Sequence, residues 1–333
     1  MPAISPADGP VAVTGASGYI GSWIVYDLME QGYQVRGCVR DTSKPEKVDH
    51  LLAMNDDPAL RGSVELFEGD LLSRGSYEAA FSGCSGVIHA GATVGYNRET
   101  PQEVYDGCFT ENHHVIDSVK KAGTVKRFVF TSSFAAVGHP CADGYVFTER
   151  DWCGDNLEGY EGSWTEENIP KDRDTAYAMA KANTERMLYR AAEEDGRFEA
   201  MSILPVHVIG PLMCANHDQG WSWQNCIMQM LQGKPYKKAR GGRMLWNNVD
   251  VRDTARAHRL CAESSVAKNG SRYILSATDR SGELFTWELQ AKLKELFPGI
   301  KDIGGEEMEG GQPKEETRDR PRSYCLLAKQ ELG

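Results

Sequence analysis

A short strand-forming run, Val11 to Thr14, leads straight into Gly15-Ala16-Ser17-Gly18-Tyr19-Ile20-Gly21, and a helical pattern extends from Tyr19 to Gln31. No other stretch restricts the fold as much. Gly15, Gly18 and Gly21 keep a G-x-x-G-x-x-G spacing between the strand and the helix. Glycines there permit a tight turn, close helix–strand packing and close approach of backbone to a ligand. The N–H groups at the helix start and the helix dipole attract phosphates, so strand, turn and helix together point to a bound dinucleotide. The candidate contacts are Gly15, Ser17, Gly18, Tyr19, Ile20 and Gly21.

The same alternation continues down the chain. Apolar strand patterns occur at 34–39, 64–67, 86–90, 127–131, 199–204 and 271–275. Helical patterns occupy 46–54, 77–81, 104–121 and 175–194. Buried strands separated by helices mean parallel βαβ units. The expected fold is α/β, a doubly wound, mostly parallel Rossmann sheet with a smaller C-terminal substrate lobe. Residues 1–205, with about 249–276, are assigned to the Rossmann domain, and 206–248 with 277–333 to the lobe. The lobe should lie over the carboxyl ends of the strands, with helices at 221–231 and 286–297. The segment 140–173 reads as a long loop with short turns, and the polar stretch 314–333 as loosely packed.

Composition narrows the function. Hydrophobic residues make up 41% and charged residues 26%, which suits a globular core. A net charge of −11 argues against non-specific nucleic-acid binding. The one basic stretch, 234–243, reads either as a solvated loop or as a site touching an anionic group of substrate or cofactor. Nine scattered Cys with no C-x-x-C pair suggest reduced thiols and a cytoplasmic setting. No His spacing marks a metal site, so no metal is expected. No apolar run nears the roughly 20 residues that span a bilayer, so no membrane association is expected either.

Tyr177-Ala178-Met179-Ala180-Lys181 places a phenol and an ammonium four apart on one helix face. The ammonium favours the phenolate, which tunes the phenol for proton exchange with a carbonyl or alcohol oxygen. Arg40 closes the second strand where an acidic residue would suit NAD. A guanidinium there suits the extra 2′-phosphate of NADP, with Lys44 and Lys47 nearby. Asp70-Leu71 after the third strand reads either as an adenine contact or as a helix cap.

These residues resemble the extended short-chain dehydrogenase/reductases, within them the branch of dihydroflavonol reductases, cinnamoyl-CoA reductases and fungal methylglyoxal-type aldehyde reductases. The resemblance rests on 14–21, Val39-Arg40-Asp41, Gly69-Asp70-Leu71, Phe130-Thr131-Ser132-Ser133, 177–181, Leu204-Pro205 with Ile209-Gly210-Pro211, and 249–253. It implies an NADP(H)-dependent carbonyl reductase with Ser133, Tyr177 and Lys181 as catalytic residues. Ser133 would hydrogen-bond the carbonyl oxygen, Tyr177 would donate the proton, and Lys181 would hold the cofactor ribose and tune Tyr177. Arg40 and Lys47 would contact the 2′-phosphate, and Asp70 and Leu71 the adenine. Ala90, Thr131, Pro205 and Val208 would lie along the cofactor, and Asn112 is a further candidate.

Substrate-facing candidates are Ser133, His207, Trp221 and Trp223, with Trp152, Tyr160, Trp164 and Met228 as further wall residues. Aromatic walls point to a bulky or aromatic carbonyl substrate. Cinnamoyl-CoA reductases carry an N-W-Y-C-Y-G-K-like stretch that 174–181 lacks, which weakens a thioester reading. The alternatives are a sugar-nucleotide epimerase or dehydratase, a hydroxysteroid-type alcohol dehydrogenase, and a non-catalytic NADP sensor. The expected partner is a small molecule, and the chain is expected to act as a monomer or homodimer.

Overall fold

The computed structural model of the chain describes residues 3–92, 100–109, 111–139, 141–142, 144–154, 173–218, 223–232, 245–276, 283–300 and 322–333. In its first half β1 (Val11–Thr14), α1 (Tyr19–Glu30), β2 (Gln34–Val39), α2 (Pro45–Leu52) and β3 (Ser63–Glu68) alternate. They are followed by α3 (Glu78–Phe81), β4 (Gly86–His89), α4 (Pro101–Cys108), α5 (Asn112–Ala122) and β5 (Arg127–Thr131). Next come β6 (Val146–Phe147), α6 (Arg173–Asp195), β7 (Glu199–Pro205), β8 (His207–Ile209), α7 (Trp223–Leu231), β9 (Leu245–Asp250) and α8 (Val251–Glu263). The chain ends with β10 (Arg272–Leu275), β11 (Glu283–Phe285), α9 (Thr286–Leu296), β12 (Arg322–Ser323) and α10 (Leu326–Glu331).

Seven strands pair in the order β10-β7-β5-β4-β1-β2-β3. Every pairing in this sheet is parallel. Successive side chains on a strand face opposite sides, so each strand feeds two cores. Val11, Val13 and Val129 join Ile24, Leu28 and Ala255 on one face, beneath α1 and α8. Ala12, Phe128 and Phe130 join Val115, Ile116 and Leu188 on the other, beneath α5 and α6. The strand order reverses between β1 and β4, which opens a crevice at their carboxyl ends. A second sheet, β11-β9-β8, packs with α7 and α9 around a separate small core of Cys226, Met230, Leu289 and Leu293.

Two expectations are corrected. The single helix expected over 104–121 is two. Its break has a physical cause: the Cys108 carbonyl at the end of α4 accepts from Asn112 Nδ2 at 2.7 Å and from Thr184 Oγ1 at 2.9 Å. Side chains thus satisfy a group that a continuous helix would have bonded itself. The chain end is not loose over 322–333. Strand β12 pairs with β6, Ala328 is buried, and the Tyr273 hydroxyl donates to Glu331 at 2.8 Å. Leu327 and Leu332 pack against the core of the large sheet, so this part of 277–333 sits on the main domain. The expected loop 140–173 contains β6, and its residues 155–172 lie outside the described ones. Among the described residues no helix is long and apolar enough to cross a membrane.

Candidate active site

The glycine turn sits at the crevice. Gly15 has φ +65°, and a Cβ there would lie 2.7 Å from the Gly91 Cα. A Cβ on Gly21 would lie 2.1 Å from the Gly15 carbonyl oxygen. Both positions therefore demand glycine, because backbone meets backbone on each side. Gly18 caps α1 with no side-chain hydrogen bond, so the first N–H groups of the helix face the turn without an intrahelical partner. That is the donor set a pyrophosphate needs, and the residues fit a dinucleotide. Ala90, half-buried, lies just past β4, where the Gly91 N–H donates to Thr14 Oγ1 at 3.1 Å.

A buried polar chain underlies this turn. Thr14 Oγ1 lies 2.5 Å from His89 Nδ1, and His89 Nε2 lies 2.5 Å from Asn112 Oδ1. Asn112 must accept through that oxygen, so Nε2 carries the proton and Nδ1 accepts from Thr14. Burial pushes His89 down to about 4, which keeps it neutral. The end of β1 is thus tied through β4 to the α4–α5 break.

At the adenine side, Arg40 is exposed just after β2. Its neighbour Asp41 is engaged elsewhere, with Lys44 at 3.2 Å and with the N–H and hydroxyl of Ser43. Lys44 is thereby committed, whereas Lys47 is exposed on α2. Asp70 Oδ1 accepts from the Leu72 N–H at 3.0 Å, the turn-capping role. The Leu71 side chain is buried with Tyr77 and Phe81.

The catalytic candidates gather at β5 and α6. Lys181 is only 4% exposed, and its ammonium donates to the Thr131 carbonyl at 3.0 Å. It lies 4.7 Å from the Phe130 ring centroid and 5.8 Å from that of Tyr177. Burial lowers its pKa, opposed by Cys108 and Glu185. Tyr177 is half-buried one turn earlier on the same helix. Ser133 begins a 3-10 turn, Phe134–Ala136, that packs on α6, and its Oγ accepts from the Ala135 N–H at 3.2 Å.

The neighbouring hydroxyls are committed inside. Thr131 Oγ1 lies 2.7 Å from His258 Nε2, while His258 Nδ1 bonds the Thr254 carbonyl at 2.7 Å. Ser132 donates to Glu185, which is fully buried and pairs with Arg272 Nε at 2.6 Å. Arg272 also donates to the carbonyls of Glu149 and Asp151. Its guanidinium lies 3.6 Å above the Trp152 ring, and that of Arg186 lies 4.4 Å from the same ring. Trp152, expected at the substrate wall, is therefore packed against two guanidinium groups.

Pro205 ends β7 and Val208 lies on β8. The His207 and Trp223 rings sit 3.8 Å apart at 35°, which joins two sequence candidates in one wall. Burial lowers His207 to about 4, which keeps the ring neutral. Trp221, Tyr160 and Trp164 lie outside the described residues. Sequence reasoning missed the Thr14–His89–Asn112 chain, the Ser132–Glu185–Arg272 chain, and a cluster of His50, Cys214 and His217. A His closing β4 was a weak hint of the first. The others join residues far apart in sequence, apart from Cys214 and His217, which are three apart and need His50 from α2 to form a group.

A family model described as the NAD dependent epimerase/dehydratase family matches residues 11–275. The chain is 30% identical to cinnamoyl-CoA reductase CAD2 of Medicago truncatula, over 87% of this chain and 82% of that one. It is 34% identical to dihydroflavonol 4-reductase of Arabidopsis thaliana over 81% of this chain and 65% of the relative, just under two thirds of the relative's length. The crystal structure of Gre2 from Candida albicans in complex with NADPH has a TM-score of 0.77 at 23% identity, covering 98% of this chain and 93% of that one. That likeness establishes the shared fold.

Proposed function

We propose that this chain, which belongs to the NAD dependent epimerase/dehydratase family, is an NADPH-dependent reductase of bulky or aromatic ketones or aldehydes. One observation carries the reading: Lys181, one turn from Tyr177 on α6, is tied to the end of β5, and the next turn of chain presents Ser133. The reductase names of its relatives support it. When bound, NADPH supplies the hydride that reduces the substrate carbonyl carbon.

The chain's own part is binding, orientation and proton transfer. The start of α1 takes the pyrophosphate, and Arg40 with Lys47 takes the 2′-phosphate. Asp70 flanks the adenine, while Pro205 and Val208 border the nicotinamide. Ser133 donates a hydrogen bond to the carbonyl oxygen, where charge grows, a contribution on the order of 3 kcal/mol. Tyr177 delivers its proton to that oxygen. The nearby Lys181 ammonium stabilises the phenolate left behind. The small sheet with α7 and α9 forms the substrate lobe, and the stacked His207 and Trp223 offer an aromatic wall.

The test is depletion of NADPH over a panel of aromatic ketones, aldehydes, diketones and flavonoid-type substrates, with NADH run beside it. Turnover with NADPH, lost in Tyr177→Phe, is the expected result. NAD retained through purification, with no consumption of NADPH by any carbonyl, would instead favour an epimerase.

A further inference from the structure

We propose that His50, Cys214 and His217 form a binding site for one divalent transition-metal ion of the zinc class, with a fourth position left to water. One ligand atom from each residue lies within 4.8 Å of the others. Tetrahedral zinc, with Zn–N near 2.1 Å and Zn–S near 2.3 Å, needs its ligand atoms about 3.3–3.8 Å apart. The difference is on the order of 1 Å, within reach of side-chain rotation.

The donor set fits a zinc-class ion and not magnesium or calcium, which take oxygen ligands. Two separate segments supply it. His50 lies in the last turn of α2, Cys214 caps a 3-10 turn, and His217 ends that turn. The turn is tied to α2 independently, because Asn216 Nδ2 donates to the Glu46 carbonyl.

The His50 imidazole already has the outer partner that a metal-bound histidine requires, whereas His217 is bonded at both ring nitrogens, its Nδ1 accepting from the Met213 N–H at 3.4 Å, a long bond that would give way to the ion. His50 Nε2 lies 2.9 Å from Ser22 Oγ, and His217 Nε2 lies 3.2 Å from the Ser17 carbonyl. With that nitrogen of His50 engaged, its Nδ1 is buried and has no hydrogen-bond partner among the described residues. A buried polar atom left so is costly, and coordination would satisfy it. Binding converts the Cys214 thiol to a thiolate and releases one proton to solvent per ion, so affinity rises with pH.

The site has a consequence for the glycine turn. Ser17 and Ser22 flank the start of α1, so an ion at this cluster would brace that helix start against α2 and the 3-10 turn.

Cobalt(II) titration followed by absorbance tests the proposal on the whole chain. The expected result is one ion per chain, with a thiolate-to-cobalt charge-transfer band that zinc abolishes by displacement. Cys214→Ser, a near-isosteric change at a half-buried position, should remove the band with the far-UV circular dichroism unchanged. His50→Ala should weaken binding at least tenfold. Zinc should raise the melting temperature of the parent chain and leave that of Cys214→Ser unmoved. Absence of a thiolate band, or a band that survives both substitutions, overturns the proposal.

Discussion

If the chain takes NADPH as proposed, replacing Arg40 by Ser should weaken that cofactor and nothing else. The side chain is exposed and makes no hydrogen bond or ion pair among the described residues. Asp41, the adjacent carboxylate, is held by Lys44 and Ser43. Folding therefore loses no hydrogen bond or ion pair among the described residues, and the melting temperature should move by less than about 1 °C. The ligand loses more. Hydrogen bonds to charged groups contribute roughly 1.5–3 kcal/mol, and solvent screening at an exposed site places this one near the lower end. About 1.5–2 kcal/mol corresponds to a rise of roughly 10–30-fold in the NADPH dissociation constant. NADH lacks the phosphate, so its affinity should stay within about twofold. Fluorescence titration of both cofactors against parent and variant reads the split directly. Equal loss for the two cofactors, or no loss for NADPH, would refute the assignment of Arg40.

Three further outcomes follow. Tyr177→Phe should lower kcat by about 10²–10⁴-fold, the range of positioned proton transfer, while NADPH affinity changes little; retained turnover would remove Tyr177 from the chemistry. Arg272→Met leaves the Glu185 carboxylate buried and unpaired, and should destabilise the fold by about 3–5 kcal/mol in urea unfolding. The double change with Glu185→Leu should recover much of that loss, and simple additivity would argue against a coupled pair. Stability should also fall in acid: burial holds His89 and His258 near 4 when folded, against about 6.5 unfolded. Between those values the unfolded chain binds protons that the folded one excludes, so stability drops with pH by about 3 kcal/mol per histidine. Urea midpoints that stay level from pH 7 to pH 4.5 would contradict this.

The sequence made the large sheet readable because its central strands are buried on both faces. Strands β2 and β5 begin and end where the apolar runs do, at Gln34–Val39 and Arg127–Thr131. The glycine turn was legible for a similar reason, since a Cβ at Gly15 or Gly21 would strike backbone. What escaped depends on distant partners. Periodicity continues through Phe109, so nothing local marks the break between α4 and α5; Thr184, 76 residues away from Cys108, helps to cap it. The terminal residues look polar, yet Ala328 and Leu332 find apolar surface on the main core. His50 and His217 meet at 5.2 Å between ring centroids only because α2 and the 3-10 turn converge.

Three hydroxyls stand in a row at the end of β5, and chemistry alone does not rank Thr131, Ser132 and Ser133. Proton bookkeeping does. His258 must carry its proton on Nδ1, because that atom bonds the Thr254 carbonyl. Its Nε2 therefore accepts, and the Thr131 proton is spent on it. The Ser132 proton goes to the Glu185 carboxylate, which can only accept. Ser133 is the one whose bond runs the other way: its oxygen accepts from the Ala135 N–H, and among the described residues no acceptor takes its own proton. It is also half-buried, while the other two are buried. A carbonyl oxygen needs a donor, so of the three only Ser133 can serve it without breaking a bond that holds the core. The same two committed hydroxyls tie β5 to α8 and α6, and so hold the turn that presents Ser133 near the helix carrying Tyr177.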